Sequence, residues 1–167
     1  MADRKLAYAS VSAPTFTLAS LGTSSTLVAG RESDAVDNTT TKYLDFSVTW
    51  KVTTGTSPTA SKTIELWVIP LVDGSTTYPD VFDGTDSAEI VTSRDILRAC
   101  GRLAASVLTS ATSDQPYWLN CPSIAELFGG FVPEKFTFFV TQDTAVNLNA
   151  TSGNHVGYMR GLYETIA

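Results

Sequence analysis

One histidine, His155, is the only imidazole in a chain of 167 residues. Histidine is the usual general base of hydrolases, because its proton equilibrium lies near neutral pH. A catalytic triad would hold it against a Ser, Thr or Cys nucleophile and orient it with a carboxylate. Here it follows Gly153-Asn154 at the start of an expected strand, and no nucleophile motif accompanies it. It reads as a loop or strand-start histidine. Cys100 and Cys121 are the only cysteines and lack the close pairing of zinc ligands, and they are expected as buried free thiols. Neither standard form of Gly-rich phosphate loop occurs. The chain is therefore expected to be no enzyme and to carry no cofactor.

Carboxylates are the other source of chemistry. Between Thr63 and Ser93 stand Glu65, Asp73, Asp80, Asp83, Asp86 and Glu89, with no Lys or Arg among them. Outside this span acidic and basic residues balance at eleven each, so the net charge of −6 arises here. Three readings compete: a solvated loop, a docking surface for a basic partner, and a calcium site built from Asp80, Asp83 and Asp86. The three-residue spacing of those aspartates misses the EF-hand loop. A glycosidase pair would need its carboxyls held at a fixed separation by rigid elements, which a loop does not supply. Among the aromatics, Trp50 and Trp67 sit in strong strand patterns. Trp118, in Gln115-Pro116-Tyr117-Trp118, is a candidate carbohydrate platform.

The elements that position these residues are strands. Composition points that way first: 24 Thr and 17 Ser occupy the surface that Lys and Glu usually fill, and β-branched Thr favours a pleated, half-wet surface. From Lys42 to Thr53, Leu44, Phe46, Val48, Trp50 and Val52 alternate with polar residues, a period of two. Thr63 to Leu71 is apolar on both faces and predicts a strand covered on both sides. Further strands are expected at Pro14–Leu18, Thr26–Ala29, Tyr117–Asn120, Phe136–Thr141 and Val156–Ile166, the last with Tyr158 and Tyr163 packed. Residues 74–92 form a long connection. The stripe Ile96, Leu97, Cys100, Leu103, Ala104, Val107 and Leu108 has helical spacing, and Thr92 with Asp95 fits a capping box. The spacing alone favours a helix; Gly101 and the all-sheet surroundings stand against it. Ser123 to Phe128, after Pro122 and before Gly129-Gly130, predicts one short helix. The sum is an all-β protein: one antiparallel two-sheet sandwich over 21–167, preferably a jelly roll, preceded by residues 1–20 as an arm or a first strand.

Charge and hydropathy exclude other classes. A basic patch for nucleic acid is missing, as are a basic amphipathic helix and any apolar run of membrane-spanning length. Met1–Leu21 is broken by Ser, Pro and Thr and does not read as a signal peptide. The sequons at Asn38 and Asn149 are taken as chance.

Several segments together resemble small jelly-roll virion proteins of tailed bacteriophages, of the decoration or cement type. Glu65-Leu66-Trp67-Val68-Ile69-Pro70-Leu71-Val72-Asp73-Gly74 with Tyr78-Pro79-Asp80 is similar to a strand and loop of that family. Ser123 to Gly130, running into Val132-Pro133-Glu134-Lys135-Phe136, resembles its helix-turn-strand element, and His155-Val156-Gly157-Tyr158 to Tyr163-Glu164 its closing strand. The resemblance implies a strand for the stripe at 96–108, which is the expectation adopted there, and a dimer or trimer on the capsid surface, assembled in a bacterial cytoplasm and clamping major capsid subunits, without catalytic residues. A tail-associated or receptor- and carbohydrate-binding sandwich is the alternative. The expected contact residues are Tyr8, Phe16 and Leu18 of the N-terminal segment and Asp73, Asp80, Asp83 and Asp86 of the acidic stretch.

Overall fold

Strict alternation and continuous apolar runs end up in two different sheets. The computed structural model describes residues 3–166; Met1, Ala2 and Ala167, which belong to the expected N-terminal arm and C-terminal end, lie outside the described residues. Ten strands run in chain order: β1 Arg4–Tyr8, β2 Ala29–Glu32, β3 Val36–Asp37, β4 Asp45–Thr53, β5 Thr63–Pro70, β6 Ala88–Ile90, β7 Arg102–Leu108, β8 Pro116–Cys121, β9 Lys135–Gln142 and β10 Val156–Ile166. Two helices, α1 Arg94–Cys100 and α2 Ile124–Leu127, interrupt them.

Sheet A has the order β1-β10-β4-β8 and sheet B the order β6-β2-β9-β5-β7, with β3 pairing the start of β9; every pairing is antiparallel. Setting aside β3 and β6, eight strands lie four to a sheet, and most connections cross from one sheet to the other. This is the jelly-roll arrangement.

The core lies between the sheets. Phe46, Val48, Trp50 and Val52 of β4 face Ile64, Leu66 and Val68 of β5 and Phe136, Phe138 and Val140 of β9. The aromatic contacts across it are edge-on, with Phe46 to Phe136 at 5.6 Å and Trp50 to Phe138 at 6.1 Å, the arrangement ring quadrupoles prefer. Sheet A stays wet outside, which is why β4 alternates. Its buried stripe begins at Phe46, not Leu44, which precedes the strand and is exposed.

Sheet B is covered outside as well. Trp67, Ile69 and Phe139 project from it beneath Tyr78, Phe82, Val91 and Leu97, a second core supplied by the β5–β7 connection. Both faces of β5 and β9 are therefore dry, and their sequences lose the alternation.

The helical stripe divides at Gly101. Its first half is α1, capped by Ser93, whose Oγ accepts the Ile96 N–H at 3.1 Å; Thr92 is not the cap. Its second half is β7. The expected strand is thus corrected to a helix for 94–100. A Cβ at Gly101 would stand 2.6 Å from the Ile69 side chain, so glycine lets the chain drop onto β5 and begin pairing. The short helix expected at 123–128 forms as α2: Ser123 Oγ accepts the Glu126 N–H at 3.0 Å, and the Gly130 N–H closes the other end on the Ala125 carbonyl at 2.8 Å. Pro14–Leu18 is not a strand. It crosses the sandwich opening as irregular chain, with Phe16 edge-on to Trp50 at 4.9 Å.

Candidate functional site

Carboxylates of the acidic stretch are bound within the chain. Asp73 accepts the N–H groups of Ser75, Thr76 and Thr77, each at 3.0 Å, and the Thr77 hydroxyl at 2.7 Å. The Thr77 bonds, with the other N–H donors, pull its pKa down to about 2. Asp80 accepts from the Thr92 N–H and hydroxyl at 2.9 and 2.6 Å. Asp83 accepts the Thr85 N–H at 2.8 Å. Asp86 reaches farther: its carboxylate lies 2.7 Å from Arg31 Nε and accepts the Thr17 N–H at 3.1 Å. Burial alone would raise its pKa, but the bonds from Arg31 and Thr17 outweigh that and hold it low. Glu65 meets the Arg94 guanidinium at 2.6 Å and accepts Trp67 Nε1 at 2.9 Å. Glu89 accepts the Ser87 hydroxyl at 2.6 Å.

The bonds of Asp73, Asp80, Asp83 and Glu89 brace the stretch internally, and those of Asp86 to Arg31 and Thr17 and of Glu65 to Arg94 make it a strap fastened across sheet B. Asp80, Asp83 and Asp86 turn to three different partners, and among the described residues no three metal-ligating side chains converge. Beneath the strap lies Glu32, fully buried in β2, accepting the N–H groups of Asp83 and Gly84 at 3.2 and 2.8 Å. Burial raises its pKa to about 7 against the pull of those bonds.

The N-terminal contact residues separate. Phe16 and Leu18 are corrected from surface anchors to core residues, at 9% and 1% exposure; buried side chains cannot grip a neighbour without unfolding the segment. Tyr8 remains outside, 59% exposed, with the Arg160 guanidinium 5.4 Å above its ring. His155 spans the β9–β10 turn and β4: Nε2 donates to the Asn149 carbonyl at 2.8 Å, and Nδ1 accepts the Thr53 N–H at 3.4 Å. Both ring nitrogens serve the backbone, and burial holds the pKa below the usual value. Both cysteines are free thiols, Cys121 buried and Cys100 half-buried.

A different surface stands out on sheet A. β10 outruns β4: the last β4 pairing is Asp45 with Leu162, while Arg4–Ala7 continue alongside Tyr163–Ile166. The result is a two-stranded ribbon projecting past the sandwich. On its far side β1 has no strand neighbour among the described residues. Leu6, Tyr8 and Ile166 are exposed here, as are Val11, three residues after Tyr8, and Leu44, whose N–H donates to the Leu162 carbonyl of β10. Between the ribbon and residues 41–44 runs an open cleft of about 600 Å³, lined in part by Tyr43, Leu44 and Tyr163.

No family model, no curated protein and no solved structure matches this chain.

The ribbon was only partly legible. Sequence reasoning reaches Tyr8 but not Leu6 and Ile166, since each looks like an ordinary inward residue of an edge strand. The signal lay in length: a closing strand of eleven residues beside one of nine must overhang at one end. Tyr158, expected as packed, is instead 44% exposed on the outer face of sheet A, beside Trp118.

Proposed function

We propose that this chain is a non-catalytic structural protein of a bacteriophage virion, a decoration or cement protein that binds major capsid subunits from outside. The observation that carries the reading is the β1–β10 ribbon, with its unpaired edge and exposed Leu6, Tyr8 and Ile166. An open strand edge adds to a partner's sheet through backbone hydrogen bonds, while alternate side chains supply specificity. Clustered exposed apolar groups favour a protein interface over free solvent. The jelly-roll strand order and the segments that resemble phage virion proteins agree with it.

Mechanically, the rigid sandwich acts as a wedge and the ribbon as its attachment. Capsid shells repeat the same site many times, so modest affinity per contact suffices once copies or protomers act together. A dimer or trimer, formed in the bacterial cytoplasm, would multiply the attachments of each particle. The strap on sheet B faces the opposite way and keeps the outer surface acidic.

Co-sedimentation with expanded major-capsid shells tests this. The wild-type protein is expected to saturate the shells at a fixed ratio, and Leu6→Asp with Tyr8→Asp to lose binding while keeping the fold.

A further inference from the structure

We infer that the outer face of sheet A, at the edge away from the ribbon, is a binding platform for an acidic polysaccharide. Trp118 of β8 and Tyr158 of β10 lean toward each other across β4, with ring centroids 6.3 Å apart and planes tilted by 33°. They are 53% and 44% exposed. Aromatic pairs across strands stabilise sheets by themselves. That role does not require half of an indole to remain in water, and the chain's other two tryptophans are buried.

The surroundings set the ligand class. Thr49 lies between the rings in the register, and its hydroxyl donates to Asn120 Oδ1 at 2.8 Å, which leaves the Asn120 amide N–H groups to donate outward. Lys51 is directly across from Trp118, and Arg160 follows Tyr158 on the same face. Lys51 donates to the Gly153 carbonyl and Arg160 to the Ala9 carbonyl, so most donors of both cations stay free. From Ser47 to Lys51, Pro116 to Asn120 and Val156 to Leu162, the outward positions carry these two cations and no carboxylate. That is unusual in a chain of net charge −6. Flat rings stack on the apolar faces of pyranose sugars, amide and hydroxyl groups meet their hydroxyls, and the cations meet uronate carboxylates. The platform centres on β8 and the ribbon on β1, opposite edges of sheet A, and the two meet at Arg160, whose guanidinium lies over the Tyr8 ring.

Calorimetric titration with oligogalacturonate, maltohexaose and oligothymidylate tests it, with intrinsic tryptophan fluorescence as a second readout. Oligogalacturonate is expected to bind and to perturb the emission of the exposed Trp118. Trp118→Ala should weaken binding about tenfold or more. Lys51→Gln should weaken it severalfold and reduce its salt dependence. Unchanged urea midpoints keep these losses from being read as unfolding. The proposal is overturned if oligogalacturonate fails to bind at millimolar concentration, or if Trp118→Ala binds as the wild type does. Equal binding of maltohexaose overturns the acidic assignment, and tighter binding of oligothymidylate overturns the sugar in favour of single-stranded nucleic acid.

Discussion

Arg94, the first residue of α1, sets its guanidinium 2.6 Å from the Glu65 carboxylate on β5 and 4.9 Å above the ring of Trp67. Glu65 in turn accepts the Trp67 indole N–H. Three side chains thus join helix to sheet where the acidic strap is anchored. A carboxylate only 8% exposed is tolerated there because each oxygen has a partner.

Removing the cation should be costly. Arg94→Met leaves a buried carboxylate with one weak donor and is expected to destabilise the fold by about 3 kcal/mol. Urea unfolding measures it. The double variant Arg94→Met with Glu65→Leu should recover much of the loss, since the uncompensated charge is gone; no recovery would mean that the pair does not act as a unit.

Glu32 gives the strap a pH dependence. Its pKa is near 4.5 in the unfolded chain and about 7 in the fold. The folded state therefore holds its proton more tightly. The stability this contributes is full below pH 4.5 and is lost as pH rises to about 7. Glu32→Gln removes the titration, so its stability relative to wild type should improve from pH 5 to pH 8, by up to about 3 kcal/mol. Urea midpoints of the two proteins at both pH values check this, and a constant difference would contradict it.

Phe16 and Tyr8 should behave oppositely. Phe16→Ala opens a hole against Trp50 and is expected to cost about 3 kcal/mol. Tyr8→Ala, on the ribbon, should change stability by no more than about 0.5 kcal/mol while weakening capsid binding. Thermal melts beside shell co-sedimentation separate the two roles.

Gly157 pairs with Trp50 across β10 and β4, and the Trp50 indole lies where a side chain at 157 would begin. Gly157→Ala should force the indole off its rotamer and cost about 2 kcal/mol. A shifted Trp50 emission with a lowered melting temperature is the expected signature.

What could be read from the residues followed from solvent exposure. β4 declared itself because one face of sheet A is wet, and β5 because both of its faces are covered. The anchoring of the strap did not, because the cations that hold it lie outside it: Asp86 finds Arg31, and Glu65 finds Arg94. An acidic run with no nearby cation looks like free surface until the fold brings the cations to it. Phe16 and Leu18 alternate like strand residues but plug the sandwich opening, and two apolar residues are too few to tell those states apart. At 96–108 a helix and a strand share one apolar spacing, and only the contact of Gly101 with Ile69 separates them.

The capsid reading meets its most direct test in the copy number and position of the chain in purified virions, by quantitative mass spectrometry with labelled particles in the microscope. The account predicts a count in fixed proportion to the major capsid protein, distributed over the head and lost when Leu6 and Tyr8 are replaced by Asp. A low count confined to the tail, or full head occupancy by that variant, would contradict it.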